Sequence, residues 1–246
     1  MTSSPVRIAM WSGPRNISTA MMRSFGSRAD CAVSDEPFYG AFLKKTGFQQ
    51  PMADQIIASM DCDWGSVAQA MRGPVPGGKV IWYQKHMPHH MVDKVSIADF
   101  PDHRHAFLIR DPDHVVASYA AKRVEVTPDD LGYARQLEYC DQAAQMSGIA
   151  PIVLDSADTL KDPEGRLKEL CIALAIDWDP AMLNWQAGPR ETDGIWASHW
   201  YNRVIDTTAF AAPSDHQPKL TSAQQKIADQ CRAYYDQLLE YCPNAL

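Results

Sequence analysis

The sequence is poor in whatever would divide, export or anchor a protein. Its 246 residues contain no Gly/Ser-rich linker, no block of like charge and no low-complexity run, so a single domain over residues 1–246 is expected. No apolar stretch approaches the roughly 20 residues of a membrane span. The opening segment, MTSSPVRIAMWSGPR, lacks the charged start and long apolar core of a secretory leader. Cysteines 31, 62, 140, 171, 231 and 242 form no C-x-x-C pair, and no histidine follows at zinc-finger spacing. No metal site is therefore expected, and reduced thiols in a cytoplasmic protein are the simpler reading. Basic residues are in deficit, 23 against 30 acidic, for a net charge of −7. That speaks against a nucleic-acid partner, which needs a basic face, and leaves room for a local basic pocket.

What is there is ordinary globular material, 46% hydrophobic and 22% charged. Residues 6–11, 31–34, 79–84, 104–110 and 151–155 read as short apolar strands. Helical periodicity is expected over 18–25, 53–71, 129–147 and 222–241, behind Asp111 or Asp113, and from Pro163. Strands alternating with helices predict an α/β fold, a mostly parallel central sheet flanked by helices in three layers. Ligands of such sheets bind beyond the carboxyl ends of the strands.

Two basic turns lie at such ends. In RIAMWSGPRNISTAMMRSF (7–25), a strand meets the turn SGPRN and then a helix. A helix N-terminus presents free N–H groups to an anion; Arg15 adds charge, and Ser18 and Thr19 add hydroxyls. The turn is no Walker A loop, because the pattern G-x-x-x-x-G-K-S/T counted from Gly13 wants Gly-Lys where Ser18-Thr19 stand. In FLIRDPDHVVASY, Arg110 closes a strand and Ser118 follows on the next helix. Each turn could equally be a plain strand–helix junction with a solvated arginine.

The chain resembles the sulfotransferases that use 3′-phosphoadenosine 5′-phosphosulfate (PAPS). That family has a P-K/R-S-G-S/T-T loop for the 5′-phosphosulfate, and a strand-end Arg with a Ser eight positions on for the 3′-phosphate. Here stand Pro14-Arg15-Asn16-Ile17-Ser18-Thr19, and Arg110 with Ser118. IVLDSADTLKDPEGRLKELCIALAIDWDP resembles a third family segment, with Ala175 in place of a Gly, and IWASHWYNRVIDTTAF is a fainter echo. The likeness runs in patches over residues 6–185 and is nearest to a divergent bacterial-type branch with WSGPRN-I/V-ST loops, sometimes labelled aminotransferase-like. No lysine environment for a pyridoxal cofactor is evident. The resemblance implies a P-loop NTPase-like sulfotransferase fold, and transfer of a sulfuryl group to a hydroxyl or amine of a small molecule or carbohydrate. It further implies adenosine 3′,5′-bisphosphate as product, no metal and no membrane. Ile17 stands where the family has a Gly free to adopt φ > 0, so the loop either keeps ordinary backbone angles or has an altered site.

Such transfer needs a base. Glu36, in SDEPFYG, resembles a proposed base of some bacterial sulfotransferases. His86, in YQKHMPHHM, resembles the K-T-H-L-P histidine of cytosolic ones. An unperturbed imidazole titrates near 6.5 (roughly), which favours His86. Glu36 could instead belong to a helix start behind Pro37. Arg15 is expected to stabilise the sulfuryl group, with Lys85 as a second cation; Trp200 and Tyr201 either close over the cofactor or acceptor, or pack in the core or at the rim of a pocket. Two rivals stand: a nucleotide kinase or other phosphotransferase of P-loop ancestry, and a non-catalytic nucleotide-binding module.

Overall fold

The first strand, β1 (Val6–Ser12), buries Ile8 and Met10 on one face and Ala9 and Trp11 on the other. A strand apolar on both faces belongs inside a sheet covered from both sides. A computed structural model, describing residues 5–123, 125–213 and 216–243, shows that arrangement. The extremities of the expected 1–246 domain, including the first four residues of the opening segment, lie outside the described residues.

After β1 the chain runs through α1 (Ser18–Gly26), β2 (Cys31–Asp35), α2 (Tyr39–Thr46), α3 (Ala53–Ser59), α4 (Trp64–Arg72), β3 (Ile81–His86), β4 (His103–Ile109) and α5 (Pro112–Ala120). It continues through α6 (Pro128–Leu131), α7 (Tyr133–Ser147), β5 (Ile152–Asp155), α8 (Ser156–Lys161), α9 (Pro163–Ala173), α10 (Ala197–Trp200) and α11 (Ser222–Leu239). The five strands pair in parallel in the order β2-β3-β1-β4-β5. One core lies between the sheet and α1, α2 and α9, built on Ile8, Met10, Met21, Phe25, Tyr83, Leu108 and Leu167. The other lies beneath α5, α7 and α11, built on Trp11, Phe107, Val116, Tyr139, Val153 and Leu238. The fold is thus the three-layer α/β sandwich that the sequence predicts, with a sheet that is wholly parallel. No helix among the described residues is long and apolar enough to cross a membrane.

The strand order places the site. From β1 the chain first moves outward to β2 and back to β3, then crosses β1 to reach β4 and β5. The loops after β1 and β4 therefore open on the crevice where the winding reverses.

Several elements differ from the periodicity reading. The helix expected over 53–71 is two, because Asp63 caps a new helix by accepting from the Ser66 N–H. Residues 129–147 are interrupted at Gly132, whose φ of 73° ends α6. The third strand runs to His86 rather than stopping at Gln84. Ala175, standing for the family's Gly, has φ 45°. It closes α9 in a Schellman turn, with Ile176 N–H bonded to the Cys171 carbonyl and Ala175 N–H to that of Ile172.

Candidate active site

The turn after β1 is shaped by close approach. A Cβ on Gly13 would sit 2.8 Å from the Leu131 carbonyl oxygen, so only glycine lets the chain pass there. Asn16 pins the turn: its Nδ2 donates to the Leu108 carbonyl of β4 at 3.0 Å, and its Oδ1 accepts from the Ile17 N–H at 2.8 Å. Ile17 has φ −86°, ordinary backbone that a β-branched residue tolerates. The left-handed position is Arg15, at φ 56°. The question raised by Ile17 is settled in favour of ordinary angles there, with the unusual dihedral moved two residues earlier. Helix α1 then starts with no side-chain cap and no acidic residue in its first turn, leaving its first N–H groups open.

The second basic turn meets the first. Arg15 Nε donates to Ser118 Oγ at 2.9 Å, and Arg110 Nη1 donates to the Arg15 carbonyl at 2.8 Å. Tyr133 holds the Arg110 carbonyl through its hydroxyl at 2.5 Å. A third arginine, Arg203, comes from the segment after α10. Burial and then the charges of Arg203 and Arg110 depress the Arg15 guanidinium pKa. Burial also depresses that of Arg110, and Arg203 adds to it. None of the three forms an ion pair with a carboxylate among the described residues. Asp155 and Asp111 offset the depression only in part at Arg110; cations so crowded raise one another's energy, and an anion relieves it. Arg203 is a site residue that sequence reasoning passed over: attention in HWYNRV went to the aromatic rings.

A carboxylate network adjoins this cluster. The Lys85 ammonium lies 2.7 Å from Glu36 Oε1, 2.9 Å from Asp35 Oδ1, 2.7 Å from the Tyr201 hydroxyl and 3.4 Å from Thr19 Oγ1. Burial opposes its charge, but Asp35 and Glu36 outweigh burial and hold its pKa well above the ordinary value. Lys85 is therefore no free cation for a sulfuryl group, because two carboxylates already neutralise it. Asp35, also passed over, accepts from Tyr201 at 2.6 Å and from the Gly194 N–H at 3.2 Å. The tandem Asp-Glu at a strand end was the available signal. Tyr201 is buried and takes both Lys85 and the Trp196 ring N–H on its hydroxyl. It anchors the 194–205 segment, the packing role that stood open beside closure over the cofactor. Trp200 is half-buried, with a ring N–H that has no partner among the described residues.

Glu36 precedes α2 rather than opening it: the helix begins at Tyr39, whose N–H bonds the Glu36 carbonyl at 3.0 Å. Its φ of 46° is left-handed, a conformation costing a non-glycine residue about 1–3 kcal/mol and frequent where function dictates geometry. Oε1 rests on Lys85, while Oε2 carries no hydrogen bond among the described residues.

His86 is kept out. Neighbouring strand residues point to opposite faces, so with Lys85 toward α1, His86 enters the other core. It stacks on Trp11 at 4.7 Å, between Phe38 and Phe100, and is 1% exposed. Burial, with His103 and His105, drives its pKa well below the ordinary value. A separate cleft of about 1020 Å³ opens beside the outer edge of β2, and its buried cation, Arg23, is paired with Asp193 at 2.7 Å.

Comparison with known proteins gives the family. The sulfotransferase domain family matches residues 6–238. Two Arabidopsis thaliana proteins, branched-chain-amino-acid aminotransferase-like proteins 2 and 1, are 32% and 35% identical over 93% and 86% of this chain. The chain spans only 40% and 38% of their lengths. Among solved structures, a mouse sulfotransferase complexed with PAP superposes over 97% of this chain and 91% of its own, with TM-score 0.58 and 12% identity. A sulfotransferase from Alicyclobacillus acidocaldarius covers 97% of both chains, with TM-score 0.55 and 10% identity. The chain belongs to the sulfotransferase domain family.

Proposed function

We propose that this chain transfers a sulfuryl group from PAPS to a hydroxyl or amine of a small-molecule or carbohydrate acceptor. The observation that carries the reading is the convergence of Arg15, Arg110, Arg203 and Ser118 at the open N-terminus of α1, with none of the arginines ion-paired to a carboxylate among the described residues. A donor with phosphate at both ends of its ribose suits such a cluster. Arg110 and Ser118 take the 3′-phosphate, with Arg203 as a further cation beside Arg15 and Arg110. The turn Pro14–Thr19 takes the 5′ end through α1 N–H groups and Ser18. The bound donor supplies the sulfur centre, whose bond to the 5′-phosphate oxygen breaks as a bond to the acceptor oxygen forms.

Glu36 Oε2 accepts the proton of the acceptor hydroxyl, and Lys85 holds the carboxylate in place from Oε1. Arg15 stabilises negative charge on the departing oxygen. His86 is replaced in the base role by Glu36, because its ring is sealed in the core. The free thiols of all six cysteines accord with a reducing, cytoplasmic setting. The aminotransferase-like name describes relatives more than twice as long, and nothing in it is carried to this chain. A kinase reading is disfavoured because the turn lacks the Gly-Lys pair of a Walker A loop, and Lys85, which reaches Thr19 at 3.4 Å, is neutralised by two carboxylates.

The test is thermal stabilisation by adenosine 3′,5′-bisphosphate against ATP with Mg²⁺. The bisphosphate at 100 times its Kd stabilises by about 2.7 kcal/mol. Stabilisation by ATP with Mg²⁺ alone would overturn the reading. Transfer from labelled PAPS to a metabolite pool then separates an enzyme from a binding module.

A further inference from the structure

Arg123, just beyond α5, is held in place by neutral groups. Its guanidinium carbon lies 4.2 Å from the centre of the Phe48 ring and 5.7 Å from that of Tyr119. Nη1 donates to the Gln49 carbonyl at 3.2 Å and Nη2 to Gln50 Oε1 at 3.1 Å. Among the described residues no carboxylate pairs with it. Two rings and a loop thus fix the position of a cation whose remaining N–H groups, one on each Nη and the one on Nε, meet no acceptor among the described residues.

The same corner leads back to the base. Gln50 Oε1 also accepts the Tyr39 hydroxyl at 2.6 Å, and the Tyr39 N–H is bonded to the Glu36 carbonyl. Gln50 Nε2 is buried without a partner among the described residues, although its oxygen takes two hydrogen bonds. A buried amide donor left open is costly unless a ligand fills it. On the far side, Tyr119 lies within the fields of both Arg15 and Arg123. Arg123 thus shares Tyr119 with the donor side, and is linked to the Glu36 backbone carbonyl through the Gln50 and Tyr39 side chains and the Tyr39 N–H.

We propose that Arg123, with Gln50 Nε2, anchors a carboxylate on the acceptor, so that the substrate is a hydroxy acid whose hydroxyl faces Glu36. The inference rests on the assignment of Glu36 as base and of the Arg15–Arg110 crevice as donor site. Guanidinium recognises carboxylate through a planar fork, and the fixed span from Arg123 to Glu36 would select acceptors by the distance between acid and hydroxyl.

The test compares matched acids and methyl esters as ligands: lactate, 3-hydroxybutyrate and 4-hydroxybenzoate, each against its ester. Binding is measured by calorimetry on the full chain, with and without saturating adenosine 3′,5′-bisphosphate. At least one acid is expected to bind about tenfold or more tightly than its ester. Arg123→Gln removes that preference and Arg123→Lys restores part of it, while bisphosphate affinity stays at the wild-type value in both. Acid and ester affinities that match for all three pairs overturn the proposal, as does a preference that survives in Arg123→Gln. Failure of the wild type to bind the bisphosphate would strike the donor assignment instead, and the acid–ester comparison without bisphosphate would still judge Arg123.

Discussion

Helix α1 carries a buried or half-buried arginine near each end, and the two are treated in opposite ways. Arg23, near the C-terminus, is 4% exposed and meets Asp193 at 2.7 Å. Arg15, just before the N-terminus, meets a serine hydroxyl and two more arginines. Taking a guanidinium out of water is costly, and a carboxylate partner compensates within the fold. Where the fold provides no partner, it stays poised for one from outside. The contrast separates charge that holds the framework together from charge that waits for a ligand.

The largest expected effect lies at the site. Glu36→Gln lowers turnover about 100- to 10,000-fold with bisphosphate affinity unchanged, whereas His86→Gln leaves turnover intact and lowers stability. Steady-state kinetics with calorimetry checks both, and a turnover loss confined to His86→Gln would reverse the roles. At the framework end, Arg23→Ala removes the ion pair of the buried Asp193, leaving it the Arg190 N–H, and lowers unfolding free energy by about 3 kcal/mol, read from urea denaturation. An unchanged midpoint would mean that the buried pair is not structural.

A weaker effect sharpens the same division through pH. His86, His89 and His90 are held well below the ordinary imidazole value by burial, and His103 and His105 are pushed down to about 4 by burial. Unfolded histidines titrate at about 6.5. Below that pH the unfolded chain takes up protons that the folded chain refuses. Their stabilising contribution is therefore complete above about pH 6.5 and is lost as pH falls toward 4. Urea midpoints at pH 7 and pH 5 should differ accordingly, and equal midpoints would contradict the neutral burial of these rings. The smallest effect is a gain: Ala175→Gly relieves a left-handed alanine and adds about 1 kcal/mol, with no change at the site.

Much of this was legible in the sequence. Apolar runs located all five strands, and the Arg15 turn and Arg110 with Ser118 marked the crevice, because anion chemistry at strand ends is a local pattern. What was missed depends on direction rather than type. Ending the third strand at Gln84 left Lys85 and His86 free to share a loop. Two more residues of strand put them on opposite faces, one neutralised beside α1 and the other sealed behind Trp11. Helix α2 was missed because YGAFLKKT is short and sits behind a proline. Arg203 and Asp35 are far apart in the chain, and only the fold brings them to the loop.

Calorimetric titration of adenosine 3′,5′-bisphosphate into the wild type, Arg110→Ala and Arg23→Ala tests the central claim most directly. The account predicts affinity about 10- to 100-fold weaker in Arg110→Ala, and wild-type affinity in Arg23→Ala at a temperature where it remains folded. Equal affinity in all three proteins, or equal loss in both variants, would contradict it.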